Sequence, residues 1–343
     1  MKGLWLHIVR TYLRVGLFFY FKKIEVANAK VVPESGPVLF LANHQNALLD
    51  ALLIATTTKR FSYFLTRASV FNKPIVSKVL QSLQMLPVYR VRDGWSNLSK
   101  NNSIFTKSSK LLNDGEAIVI FPEGSHNIKR TIRPLSKGFT RIVFETLDTF
   151  PDIKIYVIPV GLSFQHAEKF SDSTLINFGM PIQVDDKLLH DKNQSMLRLK
   201  DEVSRQLRQL TVHIEGDNYD TVLEKLKILQ VDFTKPEDVN ECISKDFTSC
   251  KKKQVNKYIV LKRLAKALLI IHLIVPYVIW KKGVQPKIKE VEFTSTFRFA
   301  IAITLVPIFM IVMLLILAMT LHIKFAMLYI LTVFVLALLA VKL

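Results

Sequence analysis

The stretch that decides the fold is GPVLFLANHQNALLDA, residues 36–51, in which an apolar run gives way to polar residues before apolar residues resume. The run predicts a buried strand, and the apolar spacing across 47–57 predicts a helix. Two interpretations of the polar residues between them stay open. They cap the helix, or His44 and Asp50 form a working pair beside a substrate.

Short apolar runs alternate with helical patterns through the middle of the chain. Four runs read as strands, at residues 37–43, 61–67, 116–124 and 153–164, and residues 135–147 give a second helical pattern. Such alternation predicts an α/β domain with a mostly parallel sheet flanked by helices. Ligands of such sheets bind at the carboxyl ends of strands, where the polar clusters fall. Residues 97–110, NLSKNNSIFTKSSK, are interpreted as a polar loop.

The positive charge is concentrated beside the most apolar part of the chain. The formal net charge is +19, and residues 251–298 hold twelve Lys or Arg against two acids, so that 12 − 2 = +10 of it lies there. A basic segment next to membrane helices is attracted to anionic headgroups by roughly 1 kcal/mol per residue. The expected partner is therefore membrane lipid and not nucleic acid.

The C-terminal part reads as membrane helices. Residues 299–321 are uncharged over 23 positions, long enough for a bilayer core of about 30 Å, and 325–341 give 17 more. They predict a transmembrane hairpin, and the basic flanks place its ends and the catalytic part on the cytoplasmic face. Residues 267–280, interrupted by Pro276, predict a re-entrant or interfacial segment.

The N-terminal segment predicts an amphipathic helix in the membrane interface. Arg10 and Arg14 fall on its polar side. An ordinary core helix remains the alternative. Apolar residues lie on or near the other side: Trp5, Leu6, Leu13, Leu17, Phe18 and Phe21. The predicted parts are the interface helix 1–24, the α/β domain 25–190, a helical extension 191–262 without recognisable chemistry, and the membrane region 263–343.

The two cysteines, Cys242 and Cys250, are too few and too widely spaced for a zinc site or a disulfide framework. A reduced, cytosol-facing setting is expected. No metal-ligand set is evident either, although a His–Asp metal hydrolase stays a minor alternative.

Two further motifs suit an anionic substrate. FPEGS, residues 121–125, ends a strand with Glu123 and Gly124 in a sharp turn that exposes backbone N–H groups, and a plain turn explains it equally well. RTIRPLSKGFTRI, residues 130–142, supplies Arg133 and Lys137 for phosphate capture, with a solvated basic face as the alternative.

Together, in this order, these motifs resemble the membrane-bound glycerolipid acyltransferases that esterify glycerol phosphate or lysophosphatidate. NHQNALLD resembles the family's first motif, LTRASVF its second, FPEGS its third and VIPVG its fourth. Many members have four residues between His and Asp, whereas this chain has five. That spacing, with EGSH and PLSKG, looks closer to the fungal branch that acylates glycerol 3-phosphate or dihydroxyacetone phosphate.

The resemblance implies direct acyl transfer from acyl-CoA or acyl carrier protein to the acceptor hydroxyl, without another cofactor. His44 would be the general base and Asp50 its partner. The residues expected at the acceptor phosphate are Arg67, Glu123, Gly124, Ser125, Arg133 and Lys137, with Asn43 and Pro159 as donor-side or structural motif residues. A phospholipid-remodelling transacylase and a catalytically silent membrane scaffold remain the alternatives.

Overall fold

A computed structural model describes residues 2–90, 99–254 and 257–343. One mixed sheet organises residues 23–184, with five parallel strands and three that run against them. The strands are β1 (Lys23–Ala27), β2 (Val38–Ala42), β3 (Ser62–Arg67), β4 (Met85–Val88), β5 (Ala117–Ile120), β6 (Ile155–Phe164), β7 (Ser173–Phe178) and β8 (Ile182–Val184). The predicted fold class is confirmed.

The strand order is β1-β7-β6-β2-β5-β3-β4, with β8 also pairing with β6. Strands β2 and β5 lie at the centre and are buried at every position, as expected of apolar runs covered on both faces. The four strands predicted from sequence are β2, β3, β5 and β6. Their parallel pairing brings the carboxyl ends of all four to one edge of the sheet.

Helices cover both faces of this sheet. The helices of residues 2–244 are α1 (Lys2–Tyr20), α2 (Ala47–Thr57), α3 (Pro74–Ser82), α4 (Asn101–Asn113), α5 (Gly138–Thr149), α6 (Lys192–Leu210), α7 (Tyr219–Ile228) and α8 (Pro236–Ser244). Helices α1 and α2 pack on one face, and α4, α5 and α6 pack on the other. Most of the segment predicted as a polar loop is therefore helix α4, whose buried Phe105 and Leu112 face the core; residues 91–98 lie outside the described part.

The C-terminal part contains α9 (Ile259–His272), α10 (Ile274–Val278), α11 (Thr294–Ile303), α12 (Leu305–Thr320) and α13 (Ile323–Lys342). Among the described residues, two helical stretches are long and apolar enough to cross a membrane, Val291–Thr320 and Ile323–Lys342. Helices α12 and α13 pack against each other, and α9 packs along α13. This pair is compatible with the predicted hairpin.

The first of these stretches is interrupted at Thr304, between α11 and α12. Pro307 has no N–H for the carbonyl of Ile303, four residues earlier, and its ring would collide with that carbonyl. The hydroxyl of Tyr12 in α1 donates a hydrogen bond to the Ile303 carbonyl instead. The apolar run predicts a transmembrane helix over 299–321 and does not indicate this interruption.

Helix α1 lies against the body and keeps one apolar stripe exposed. Leu6, Leu17 and Phe21 are buried, whereas Trp5 and Phe18, expected near the same side, are 43% and 48% exposed. Gly16 allows α1 to pack closely against α11, because a Cβ there would lie 2.6 Å from Cγ2 of Ile303. The segment therefore serves as a core helix on one side and leaves apolar side chains exposed on the other.

The structure joins Cys242 and Cys250 in a disulfide with their Cα atoms 4.7 Å apart, contrary to the sequence-based prediction. The chain reverses after α8 through left-handed backbone at Asp246 and Phe247, with φ of 47° and 66°. This turn brings Cys250 back to Cys242, a proximity that linear spacing does not reveal. The two cysteines therefore no longer support the expected reducing, cytosol-facing environment.

Candidate active site

His44 and Asp50 are brought together at the carboxyl end of β2. The His44 Nδ1 atom lies 2.8 Å from Oδ2 of Asp50, which also accepts the backbone N–H of Asn46 at 2.7 Å. The Asp50 side chain is fully buried and that of His44 is 19% exposed. The loop 43–46 reverses the chain so that the first turn of α2 carries Asp50 under the imidazole. The five-residue spacing is thus compatible with a close pair.

The capping interpretation of this loop fails for Asn46. Its side chain makes no cap to α2 and donates instead to the carbonyl of Ala167 at 2.9 Å. Asn43 joins β2 to β6 through two hydrogen bonds with the Leu162 backbone, at 2.7 and 3.0 Å. Asn43 and Asn46 therefore hold the polar loop in place, and the interpretation of His44 and Asp50 as a working pair remains.

The imidazole of His44 stacks on Phe121, with ring centroids 4.1 Å apart and planes 17° from parallel. Phe121 directly follows β5, the parallel neighbour of β2. Stacking and the Asp50 contact together restrict the ring to one orientation. Since Nδ1 faces Asp50, Nε2 lies on the far side of the ring, where a reacting group could approach.

The FPEGS turn is organised by Arg133. Its guanidinium contacts the Glu123 carboxylate at 2.5 Å, the Ser125 hydroxyl at 2.7 Å and the Ser125 carbonyl. Gly124 adopts φ 73°, a left-handed conformation that suits glycine. The sequence placed Arg133 and Glu123 in one site, and the structure makes them direct partners.

Burial raises the pKa of Glu123, while the charge of Arg133 and the backbone N–H of His44 oppose that rise. The carboxylate therefore links the FPEGS turn directly to the loop that carries His44. A buried ion pair of this kind loses its compensation when one member is removed, so Glu123 and Arg133 act as a unit.

The remaining predicted site residues divide into two groups. Arg67 ends β3 at the same sheet edge, and Lys137 precedes α5, both with exposed side chains. Pro159 lies inside β6 opposite Leu41, and its carbonyl accepts the Gly179 N–H at 2.8 Å. Its contacts are those of a structural residue.

Residues far away in sequence also reach the site. The His126 ring lies 5.8 Å from that of His44, and its Nε2 is 3.0 Å from the Glu290 carboxylate, outside aligned hydrogen-bond geometry. Ser295, at the start of α11, donates at 2.6 Å to the Ala167 carbonyl that also holds Asn46. The sequence does not indicate these contacts, because nothing local relates residues 290–295 to the loop 43–46.

The sequence profile described as Acyltransferase matches residues 23–163, which include His44, Asp50 and the FPEGS turn. Over these residues the chain is similar to the glycerolipid acyltransferases. Glycerol-3-phosphate O-acyltransferase 1 of Saccharomyces cerevisiae (strain ATCC 204508 / S288c) is 27% identical over 112 residues, which are 31% of this chain and 14% of that protein. The 1-acyl-sn-glycerol-3-phosphate acyltransferase of Borreliella burgdorferi is 24% identical over 43% of this chain and 57% of that protein.

The acyltransferase domain is also similar to a solved structure, the 1-acyl-sn-glycerophosphate (LPA) acyltransferase PlsC from Thermotoga maritima. The TM-score is 0.46 at 16% identity, over 63% of this chain and 83% of that one. The chain spans less than two thirds of the length of the curated relatives it matches, and between 12% and 20% of three fungal ones.

Proposed function

We propose that this protein transfers a fatty acyl group from an acyl thioester to the hydroxyl of a glycerol phosphate acceptor, either glycerol 3-phosphate or 1-acylglycerol 3-phosphate. The observation that carries the proposal is the His44–Asp50 pair, held at the carboxyl edge of an acyltransferase domain. The names of the two relatives above, one acting on each acceptor, support this substrate class.

The reaction needs a base because a neutral hydroxyl is a poor nucleophile. His44 Nε2 takes the hydroxyl proton as the oxygen attacks the thioester carbonyl carbon. The new C–O bond replaces the C–S bond, and the proton passes to the departing thiolate. Asp50 holds the ring in the tautomer with the proton on Nδ1 and stabilises the imidazolium that forms. General base catalysis of this kind typically increases the rate by about 10²–10⁴.

The acceptor phosphate is assigned to the basic side of the site. Arg67 and Lys137 are exposed at the same edge as His44. Arg133 is engaged by Glu123 and Ser125, so it shapes the turn while its charge still attracts the phosphate. Charge-assisted contacts there would place the acceptor hydroxyl beside Nε2.

The apolar helices indicate association with a membrane, and we propose a multi-pass attachment with the acyltransferase domain on the cytoplasmic face. The segment 251–298 supplies the basic flank of the hairpin. An active site at the bilayer surface would let an acyl chain reach His44 without crossing water. The donor is acyl-CoA or acyl carrier protein.

The test uses detergent-purified protein, labelled oleoyl-CoA and each acceptor in turn, with His44→Ala as the paired variant. Label in lysophosphatidate or phosphatidate, absent from the variant, is the expected result and identifies the acceptor. Equal product from His44→Ala would refute the general base. Product formed only with a phospholipid donor would indicate a remodelling transacylase, and no product with any donor would indicate a scaffold.

A further inference from the structure

Three lysines from separate segments converge beside the loop 165–172. Lys22 lies between α1 and β1, Lys253 precedes α9, and Lys262 lies within it. The Lys262 ammonium donates to the Ser171 hydroxyl at 2.8 Å, and the Lys22 backbone N–H donates to the Asp172 carbonyl at 2.7 Å. All three side chains are partly exposed.

The charges of these lysines repel one another. The pKa of Lys262 is lowered to about 8, first by burial and then by the charges of Lys22 and Lys266, with Lys253 adding a smaller effect. Burial, and then Lys253, also lowers the pKa of Lys22. Holding like charges together costs free energy unless an anion offsets them.

The neighbouring acid does not neutralise this cluster. Asp172 is largely buried, and its carboxylate accepts the His166 N–H at 2.9 Å. Burial raises the pKa of Asp172 to about 6, against the opposing charges of Lys253 and Arg130. Asp172 alone therefore does not balance the charges of the three lysines.

The cluster lies at the C-terminal end of α13. Ser171 donates to the carbonyl of Val341 at 2.7 Å, and the Lys22 ammonium contacts a backbone oxygen of Leu343. Both oxygens lie at the C-terminal end of α13, which is the level of lipid headgroups if α13 crosses a bilayer. Lys342, in the last turn of α13, donates to the Phe21 carbonyl at 2.9 Å and lies over the Phe18 ring.

The cluster also shares a sheet edge with the active site. Lys22 adjoins β1, three strands from β2 in the order β1-β7-β6-β2, or roughly 14 Å at 4.8 Å per strand. The loop 165–172 links the two places, since its Ala167 carbonyl holds Asn46 and its Ser171 contacts Lys262.

We propose that Lys22, Lys253 and Lys262 bind the phosphate of an anionic membrane lipid at the end of α13. Half-buried ammonium groups between a soluble domain and membrane helices suit a headgroup that approaches from the bilayer surface. The proposal rests on the proposed membrane attachment and not on acyl transfer. A free phosphate would meet the same charges, so the experiment separates the two sources.

The experiment counts lipids bound to the detergent-purified full chain by native mass spectrometry, without acyl donor. The probes are dioctanoyl phosphatidylglycerol, dioctanoyl phosphatidylcholine and inorganic phosphate. The test variant carries glutamine at all three lysines. A control of equal net charge carries glutamine at three exposed lysines nearer the opposite sheet edge: Lys110, Lys154 and Lys187.

We expect phosphatidylglycerol to bind in preference to phosphatidylcholine, and the test variant to bind it on the order of 100-fold more weakly, at roughly fivefold per lysine. The control should bind like the unmodified chain. If the triple variant does not fold, Lys262→Gln alone should lose about fivefold. An equal loss in the control, no headgroup preference, or equally tight binding of inorganic phosphate would each overturn the proposal. Because the experiment measures lipid binding and not turnover, its result can be interpreted even if the protein has no acyltransferase activity.

Discussion

Replacing Asp50 with Asn tests the centre of the proposed mechanism with the smallest change in shape. Oδ2 accepts from both His44 Nδ1 and the Asn46 N–H, and Oδ1 is buried without a hydrogen-bond partner. An asparagine that keeps its oxygen toward both donors must bury its NH₂ group where Oδ1 was. We expect that unsatisfied group to lower the free energy of unfolding by about 1–3 kcal/mol.

The same change removes the negative charge that stabilises the imidazolium during proton transfer. We expect kcat to fall by about 10²–10⁴ while KM for the acceptor changes little, because the loss is confined to the transition state. The assay measures initial rates with oleoyl-CoA alongside thermal unfolding. Asp148→Asn, at an exposed carboxylate paired with Lys192, is the control and should alter neither quantity. A folded Asp50→Asn protein with kcat within twofold of the unmodified enzyme would refute the positioning argument.

Three other perturbations address the rest of the site and its connection to the membrane helices. Lys137→Gln should raise KM for glycerol 3-phosphate about fivefold at unchanged kcat, and a normal KM would return Lys137 to the solvated surface. Ser295→Ala removes the hydrogen bond to the Ala167 carbonyl, so the free energy of unfolding should fall by about 1 kcal/mol, and kcat should fall severalfold with KM unchanged. Ser295→Thr, which keeps the hydroxyl, should restore part of kcat. Gly16→Leu should destabilise the contact between α1 and α11 by about 1–3 kcal/mol and lower the Tm, because even a Cβ would lie 2.6 Å from Ile303. A Tm equal to that of Gly16→Ala, or above that of the unmodified chain, would contradict this prediction.

Much of the α/β core was predictable because its signals are local. The apolar runs of β2, β3, β5 and β6 were found, and the helix predicted over 47–57 matches α2 (Ala47–Thr57). Strands β1, β4, β7 and β8 are not indicated by the apolar runs; in β1 and β8 the apolar residues are interrupted by Glu25 and Gln183. Helix α4 was mistaken for a loop because its exposed face is dominated by polar side chains.

At the site, the residue types were predictable and their partners were not. The motifs identified His44, Asp50 and Glu123 as chemical groups, and parallel strand order explains why they meet at one edge. The catalytic and substrate-binding roles of these residues remain predictions. The Glu123–Arg133 pair depends on how the turn after β5 folds back, which the sequence does not specify.

By itself, the sequence determined the apolar periodicity, and with it the α/β class, the two apolar C-terminal helices and the chemical identity of the candidate residues. These properties depend on neighbours within a few residues, which the sequence contains directly. Only the tertiary structure decided that Ser295 supports the loop of Asn46, that Cys250 meets Cys242, and that three lysines gather at the end of α13. Such contacts join residues brought close by the packing of whole elements, and burial then sets how strongly their charges interact.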